Sequence, residues 1–214
     1  MTFECAEGHR VYAPWKKIRG RRDCPICRAN SWTQFNGEVA PKPQGVKRTL
    51  ALDQATHISG WAIFDDAKLV GYGAFTAPEG DDVERFAAIK GWLLSMIQNW
   101  RPDFIAIEGI QYQDEGNGQK MGVTVFQTLA RLQGVLMLTC HEAKVPFEIC
   151  PTNTWRHDCG VKGRSRTDRK RSMQMLVKQW YDISVSDDES DAIGIGHYMT
   201  GRIRRNTTVT NWEI

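Results

Sequence analysis

Residues 49–64 constrain the fold of this chain more than any other stretch of its sequence. An apolar run over residues 50–52 ends in a carboxylate, Asp53, and after a polar turn Gly60 opens a second apolar run. Two short apolar runs around a turn predict a β-hairpin. An acid at the end of a buried strand must be paired, protonated or bound to a cation, although a turn aspartate that caps its own loop is the simpler interpretation. Acids elsewhere in the chain are needed to decide between the two.

Hydrophobic periodicity predicts a mixed order of strands and helices. Strands are predicted over residues 50–52, 61–64, 69–75, 103–108 and 146–150. Helices are predicted over residues 83–100, 122–142 and 169–181, and from about residue 187, while residues 151–171 are predicted to be irregular and basic. The strand over 103–108 is a continuous apolar run, which is typical of a strand covered on both faces. The expected fold class is therefore α/β, with a mixed five-stranded sheet flanked by helices.

Four acids are candidates for one metal site. The fourth predicted strand ends in Glu108, and Ser186 with Glu189 forms a capping box that places Asp188 and Asp191 on one face of the last helix. Acids in a first turn often only complement the helix dipole, but Asp191 directly precedes an apolar run, which favours a cation as its partner.

The sheet order decides whether these acids meet. If the first and fourth predicted strands are neighbours, Asp53 and Glu108 lie at one edge of the sheet, and the last helix can bring Asp188 and Asp191 over it. Four carboxylates that close cannot all stay ionised without cations, and hard oxygen ligands select Mg²⁺ or Mn²⁺. A pair of such ions suits in-line hydrolysis of a phosphodiester, since one activates water and the other stabilises the leaving oxygen.

The N-terminal part of the chain differs from the rest in charge and in cysteine content. Residues 1–48 contain ten Lys and Arg and four Asp and Glu, a net +6, whereas the whole chain of 214 residues carries only +3. A basic end beside a mildly acidic body suggests a polyanion-binding module, with a solvated basic face as the alternative.

Four residues of this part have the spacing of zinc ligands. Cys5 and His9 are followed by Cys24 and Cys27 of a Cys-Pro-Ile-Cys turn, as in a zinc ribbon or knuckle. So short a segment cannot bury enough apolar surface to fold alone, and metal binding would supply that free energy. The sequence therefore predicts a structural Zn²⁺ module over residues 1–35 and a Pro/Gly-rich linker over 36–47. Two unrelated cysteine clusters are the alternative.

Three segments together resemble the motifs of the RuvC-type Holliday-junction resolvases. They are Leu-Ala-Leu-Asp53 with the strand from Gly60, Ile-Ala-Ile-Glu108, and Asp188-x-x-Asp191-Ala-Ile. The resemblance covers residues 48–201 and leaves 202–214 as a basic tail. It implies the ribonuclease H-like fold and a Mg²⁺-dependent, homodimeric endonuclease that nicks four-way DNA junctions symmetrically. It also implies that these four acids are the catalytic, metal-binding residues.

The resemblance implies DNA-binding residues as well. The segment after the fifth strand corresponds to the part of the family that contacts DNA, which assigns this role to Arg156, Lys162, Arg164, Arg166, Arg169 and Lys170. Tyr112 is the nearest substitute for a Phe with which the family wedges into DNA. Asp53-Gln54-Ala replaces the usual Asp-Pro-Gly, so the turn is expected to differ. The zinc-ribbon-like extension is additional and is similar to phage-encoded relatives.

The same sequence also bears on the location of the protein and on the alternatives to a junction resolvase. No apolar run approaches the ~18 residues that span a bilayer, and the first residues lack the features of a secretory signal, so a cytoplasmic location without a membrane partner is expected. A nuclease for other branched DNA and a non-catalytic nucleic-acid-binding protein of the same fold remain alternatives. An actin-like sugar kinase also begins with a strand, an Asp and a Gly-containing hairpin, but the domain of roughly 165 residues is too short for two lobes.

Overall fold

The computed structural model describes residues 2–4, 10–12, 37–111 and 122–205. The strands are β1 (Thr2–Glu4), β2 (Arg10–Tyr12), β3 (Arg48–Asp53), β4 (Ile58–Asp65), β5 (Lys68–Thr76), β6 (Phe104–Glu108) and β7 (Phe147–Cys150). The helices, numbered here from the first described one, are α1 (Asp82–Trp100), α2 (Val123–Glu142), α3 (Thr152–Asp158), α4 (Arg166–Tyr181) and α5 (Asp187–Arg205). Cys5, His9, Cys24, Cys27 and Tyr112 lie outside the described residues.

The main sheet is mixed and has the strand order β5-β4-β3-β6-β7. β4 runs antiparallel to β3 and β5, whereas β6 runs parallel to both β3 and β7. The mixed five-stranded sheet predicted from the sequence is confirmed. The strands that end in Asp53 and Glu108 are neighbours, which meets the condition for these acids to lie close together. Because β3 and β6 are parallel, both acids lie at the same edge of the sheet.

One face of the sheet carries large aliphatic side chains. Leu50 and Leu52 of β3, Ile63 of β4, and Ile105 and Ile107 of β6 are all at most 1% exposed. They pack against the apolar sides of α1 and α2 in one continuous core. The two-residue period of a strand sends the residues between them to the other face.

The other face carries small side chains where α5 crosses it. Ala51 pairs with Ala62 of β4 and with Ala106 of β6, so three alanines form a row across the sheet. A Cβ added to Gly196 of α5 would lie 2.2 Å from the ring of Phe64, which shows how closely the helix approaches. The short alanine side chains let α5 lie close to the sheet, with α3 and α4 in the same core.

The prediction that residues 151–171 are irregular is wrong. Thr152 and Trp155 are buried and anchor the short helix α3. A capping box between Ser165 and Asp168 starts α4 at Arg166, earlier than the predicted residue 169. The seven-residue α3 is too short to show a helical period in the sequence, and the polar first turn of α4 hides where that helix begins.

Helix α2 has an unusual composition for a helix at the surface of a domain. It is long and apolar enough, by length and composition alone, to cross a membrane, although no such segment was expected from the sequence. In the fold, Leu132, Leu136 and Cys140 are buried in the core beneath the sheet. Leu138 and Met137 are exposed by 53% and 39%. One side of the helix therefore packs in the core, and its exposed side is partly apolar.

A buried ion pair holds the beginning of β3. Arg48 is 1% exposed, and its Nε and Nη2 donate to the two carboxylate oxygens of Asp65 at 2.6 and 2.7 Å. Its Nη1 also donates to the carbonyl oxygens of Ala40 at 3.0 Å and Trp100 at 3.2 Å. The end of the predicted linker is thus fastened to the domain by Arg48.

Candidate active site

A glycine brings the start of α5 next to the end of β3. Gly60 is the partner of Asp53 in the β3–β4 ladder. A Cβ on Gly60 would lie 1.9 Å from the backbone oxygen of Asp188, so any larger residue would push the helix away. The absence of a side chain at Gly60 therefore places Asp188 beside Asp53.

The first turn of α5 begins where the capping box predicts. The backbone N–H of Ser186 donates to Glu189 Oε2 at 2.8 Å, and the Glu189 N–H donates to Ser186 Oγ at 3.4 Å. Asp187 pairs with Lys170 at 2.7 Å. Asp188 and Asp191, three residues apart, both line the cleft at the sheet edge.

One cleft contains all four acids singled out in the sequence. Its charged lining residues are Asp53, Glu108, Asp188, Asp191, Arg156, Arg166, Arg169 and Lys170. Lys162 and Arg164, also candidates for DNA binding, are exposed and are absent from the described lining of this cleft. The cleft thus combines a cluster of carboxylates with a basic rim.

The cluster makes ionisation of its carboxyl groups costly. Burial raises the pKa of Asp53 well above its ordinary value, and the charges of Glu108, Asp191 and Asp188 raise it further, as does a hydrogen bond with Glu108. Burial also raises the pKa of Asp191 to about 6, although Arg156 opposes the shift. The pKa of Asp188 is raised by burial and by its acidic neighbours on α5, against the opposing charge of nearby bases. A group of acids that resists ionisation is a good receptor for cations.

Residues that the sequence analysis did not single out position Glu108. Trp155 Nε1 donates to Glu108 Oε1 at 3.2 Å, which orients the carboxylate. The Glu108 carbonyl oxygen accepts from Gln54 Nε2 at 2.8 Å and from Gln133 Nε2 at 3.4 Å. The sequence offers no periodic signal for these contacts, because the donors are distant along the chain from Glu108.

The turn after Asp53 is built without the Pro-Gly of the resembled family. Gln54 is only 7% exposed and its amide ties the end of β3 to the end of β6. Ser59 Oγ braces the turn, since it accepts from the N–H of Ala55 at 3.2 Å and donates to the Ala55 oxygen at 2.9 Å. The expected difference in this turn is therefore a side-chain bridge between the two strands that carry acids.

The donor set fits a hard divalent cation. Carboxylate oxygens are the ligands that Mg²⁺ and Mn²⁺ prefer, and burial together with neighbouring carboxylates raises the pKa of both Asp53 and Asp191. Within residues 37–111 and 122–205, however, no three His, Cys, Asp or Glu side chains already stand close enough together to hold an ion. Arg156 lies between two of the acids, 3.1 Å from Asp191 Oδ2 and 3.5 Å from Glu108 Oε1.

The chain is similar in sequence to one curated protein and in fold to several solved structures. A curated RuvC crossover junction endodeoxyribonuclease from Pelotomaculum thermopropionicum is 26% identical over 152 residues, which cover 68% of this chain and 88% of that protein. The structure of T. thermophilus RuvC in complex with a Holliday junction substrate matches with a TM-score of 0.61 at 15% identity, over 75% of this chain and 97% of that one. The chain has the RuvC fold.

A structure from yeast also has a similar fold. The yeast mitochondrial Holliday junction resolvase Ydc2 matches with a TM-score of 0.52 at 12% identity, over 86% of this chain and 87% of that one. No protein-family model matches the chain. The acid cleft lies on the RuvC fold at the carboxyl ends of β3 and β6.

Proposed function

We propose that this protein is a metal-dependent endonuclease that resolves four-way DNA junctions by phosphodiester hydrolysis. The observation that carries the proposal is the meeting of Asp53, Glu108, Asp188 and Asp191 in one cleft of a RuvC fold. The similarity to a RuvC endonuclease supports junctions as the substrate, and the basic rim of the cleft supports DNA as the polymer. Four bases beside four acids form a charge pattern that suits a site for phosphate and cations together.

Each part of the cleft has a role in the proposed reaction. The four acids would hold Mg²⁺ or Mn²⁺, which when bound lowers the pKa of water and stabilises charge on the phosphodiester oxygens. Trp155 keeps Glu108 turned into the cleft through its N–H. Arg166, Arg169 and Lys170 line the same cleft and would neutralise phosphates of the DNA backbone. The predicted DNA-binding residues Lys162, Arg164 and Tyr112 belong to the same proposal.

Cleavage of a synthetic four-way junction, with and without Mg²⁺, tests this function. Asp53→Asn should bind the junction with unchanged affinity and lose cleavage by at least about a thousandfold, because it removes a central cation ligand. Glu142→Gln is the matched control, since Glu142 is an exposed acid that pairs with Lys90 at 2.8 Å on α1. Full cleavage by Asp53→Asn in Mg²⁺ would contradict the proposal.

The same assay separates the substrates that the sequence left open. Comparing initial rates on four-way junctions, three-way junctions and flaps should show a preference of at least about tenfold for the four-way form, equivalent to about 1.4 kcal/mol in the transition state. Equal rates on all three would favour a nuclease of wider specificity. Binding without cutting on every substrate would favour the non-catalytic alternative.

A homodimer is part of the proposal because a junction has two strands to cut symmetrically. The outer face of α2 supports it. Leu138 is 53% exposed, and a Cβ added to Gly134 on this face would meet no atom within 4 Å. Glycine in a helix interior costs about 1 kcal/mol relative to alanine, so an exposed one needs a reason such as the close approach of a second helix.

Light scattering after size exclusion tests the dimer. Leu138→Glu should shift the protein from dimer to monomer, because it buries a charge in the proposed contact. Met175→Glu is the control, since Met175 is 72% exposed on α4 and outside the α2 face. A monomeric wild-type protein, or a dimer that Leu138→Glu leaves intact, would remove α2 from the proposal.

Structural zinc in residues 1–35 is also proposed. The antiparallel pair β1–β2 supports it, because Cys5 follows β1 directly and His9 directly precedes β2. Elemental analysis should give one zinc per chain, and Cys24→Ser should lose it. A zinc-free wild-type protein with normal folding would contradict this part of the proposal.

A further inference from the structure

Arg156 occupies an unexpected position for a residue assigned to DNA. Its Nη2 lies 3.1 Å from Asp191 Oδ2 and 3.5 Å from Glu108 Oε1. Its guanidinium also lies over the ring of Trp155, 5.0 Å from the centroid. One positive group therefore stands between two of the acids that would hold a divalent cation.

Two of the other bases of the cleft have hydrogen-bond or ion-pair partners of their own. Lys170 pairs with Asp187 at 2.7 Å, and Arg169 Nη1 donates to the Arg164 carbonyl at 2.9 Å. Among the ion pairs in the described part of the chain, those that reach Glu108 or Asp191 come from Arg156. Arg156 is thus the close counterion of Glu108 and Asp191 in this structure.

A divalent ion and this guanidinium compete for the same oxygens. A Mg²⁺ ion needs its ligands at about 2.0–2.1 Å in near-octahedral order, and two cations at such short range repel one another. Trp155 Nε1 already donates to the same Glu108 oxygen that Arg156 approaches, at 3.2 Å. Arg156 must therefore leave Glu108 and Asp191 when the ion arrives.

The surroundings of Arg156 permit that movement. Its side chain is 23% exposed, at the mouth of a cleft that Arg166, Arg169 and Lys170 also line. Arg48, in contrast, is 1% exposed and donates to Asp65 and to several carbonyl oxygens, so it is fixed. A guanidinium that leaves the acids would join the other bases of the rim, where a DNA phosphate would lie.

We propose that Arg156 is a displaceable counterion, which pairs with Glu108 and Asp191 in the metal-free protein and is released to DNA phosphate when a divalent cation binds. The proposal rests on the function proposed above. It makes Arg156 a positioning residue with two opposed effects, because it competes with metal binding and assists cleavage. A purely structural residue would affect both in the same direction.

Titration of Mn²⁺ into the full-length protein without DNA tests the first effect. Arg156→Ala should bind Mn²⁺ about tenfold more tightly than the wild type, a change that corresponds to losing about one competing charged hydrogen bond. Arg156→Gln, which keeps hydrogen-bonding capacity without the charge, should also bind more tightly. Lys178→Ala is the control, because it removes an equal charge from α4, where Lys178 pairs with exposed Asp182.

Cleavage at saturating Mn²⁺ tests the second effect. Arg156→Ala should cut a four-way junction at least about tenfold more slowly than the wild type, despite its tighter metal binding. Arg156→Lys should recover part of the rate, since it returns a positive charge to the cleft. A variant that binds Mn²⁺ more weakly and also cuts more slowly would overturn the counterion role.

Chemical modification of the wild-type protein avoids any question of variant folding. Reactivity of Arg156 toward phenylglyoxal, followed by mass spectrometry, should rise severalfold when Mn²⁺ is added, while buried Arg48 stays unreactive. Unchanged or lower reactivity of Arg156 on Mn²⁺ binding would overturn its release. If the wild type fails to bind Mn²⁺ at all, the proposed function fails, whereas equal binding by wild type and Arg156→Ala removes the counterion alone.

Discussion

At one end of the β3–β4 hairpin, Arg48 faces a single carboxylate, Asp65; at the other end, Asp53 lies among further acids. The first site matches one charge with another and satisfies the donors of Arg48 with oxygens at 2.6–3.3 Å. The second site gathers four carboxylates, and Arg156 contacts two of them.

The difference shows how one hairpin separates stability from function. Removing either partner of a buried ion pair strongly destabilises the fold, because the remaining charge is left uncompensated. A buried group of like charges instead costs folding free energy, and the fold tolerates this cost where a cation is to be bound. Variants at the two ends should therefore change stability in opposite directions.

The largest effect is expected at the matched end. Asp65→Ala should lower the free energy of unfolding by about 3–5 kcal/mol, because Arg48 would remain buried without its partner. Urea denaturation measures this. Glu79→Ala, in the exposed loop before α1, should stay within about 0.5 kcal/mol of the wild type. If Asp65→Ala lowers the free energy of unfolding by less than about 1 kcal/mol, the two ends of the hairpin do not differ in stability as described.

At the acid end, loss of a positioning contact should appear in metal binding. Gln54→Met keeps the side-chain volume but removes the donor to the backbone carbonyl oxygen of Glu108. The affinity for Mn²⁺ should therefore fall about 10–100-fold. Calorimetric titration measures this. Gln133→Met removes the longer bond to the same oxygen, 3.4 Å instead of 2.8 Å, and should cost less than about threefold. Equal losses in both variants would show that Gln54 has no special role.

Removing an acid from the cluster should stabilise the metal-free protein. Asp191→Asn should raise the free energy of unfolding by about 1–2 kcal/mol at pH 7, since burial no longer opposes a charge there. Urea denaturation in chelator-treated samples measures the gain, and excess Mn²⁺ should reverse the ranking. Asp182→Asn, which breaks an exposed pair with Lys178, should give no stabilisation.

The same variant should show the expected dependence on pH. The pKa of Asp191 is raised by burial to about 6, above that of about 3.9 in an unfolded chain, so the folded wild type retains the proton over this interval. Its stability relative to Asp191→Asn should therefore fall as pH rises from about 4 to about 6. Near pH 4 the two proteins should unfold at nearly the same urea concentration, and a constant difference across the interval would contradict this origin.

The smallest effect is expected at a partly exposed pair beside Arg48. Burial works against ionisation of Asp103, but bonds from Lys42 Nζ at 2.6 Å and the Arg48 N–H at 2.7 Å outweigh it and lower the Asp103 pKa. This stability is present above about pH 4 and disappears as pH falls. Lys42→Ala should cost about 0.5 kcal/mol at pH 7 and less at pH 3 by urea denaturation, with Lys68→Ala as the exposed control.

The sequence predicted the acid end better than the matched end. Asp53 and Glu108 each follow an apolar run, so their place at a strand end could be deduced, and a capping box located Asp188 and Asp191 on α5. The roles of these acids remain predictions, whereas their common cleft is a feature of the structure. Acids that interrupt apolar patterns are visible in a sequence because they violate its period.

Other features depended on contacts that no local pattern encodes. The pair of Arg48 and Asp65 was overlooked, although the two residues flank the apolar runs of the hairpin and face each other once Asp53 is opposite Gly60. The bridge from Gln54 to the Glu108 carbonyl joins residues 54 positions apart and needs the parallel pairing of β3 and β6. Such contacts follow from register and topology rather than from composition.

The hydrogen bonds of Arg48 fix how far from Asp53 the segment before β3 joins the domain. Arg48 and Asp53 are the first and last residues of β3, so five steps of about 3.3 Å separate them by about 17 Å along the strand. The N-terminal residues join the domain at the Arg48 end, where the carbonyl oxygens of Ala40 and Pro41 are held. The described segment that precedes β3 therefore enters the domain about one strand length away from the cleft that contains the four acids.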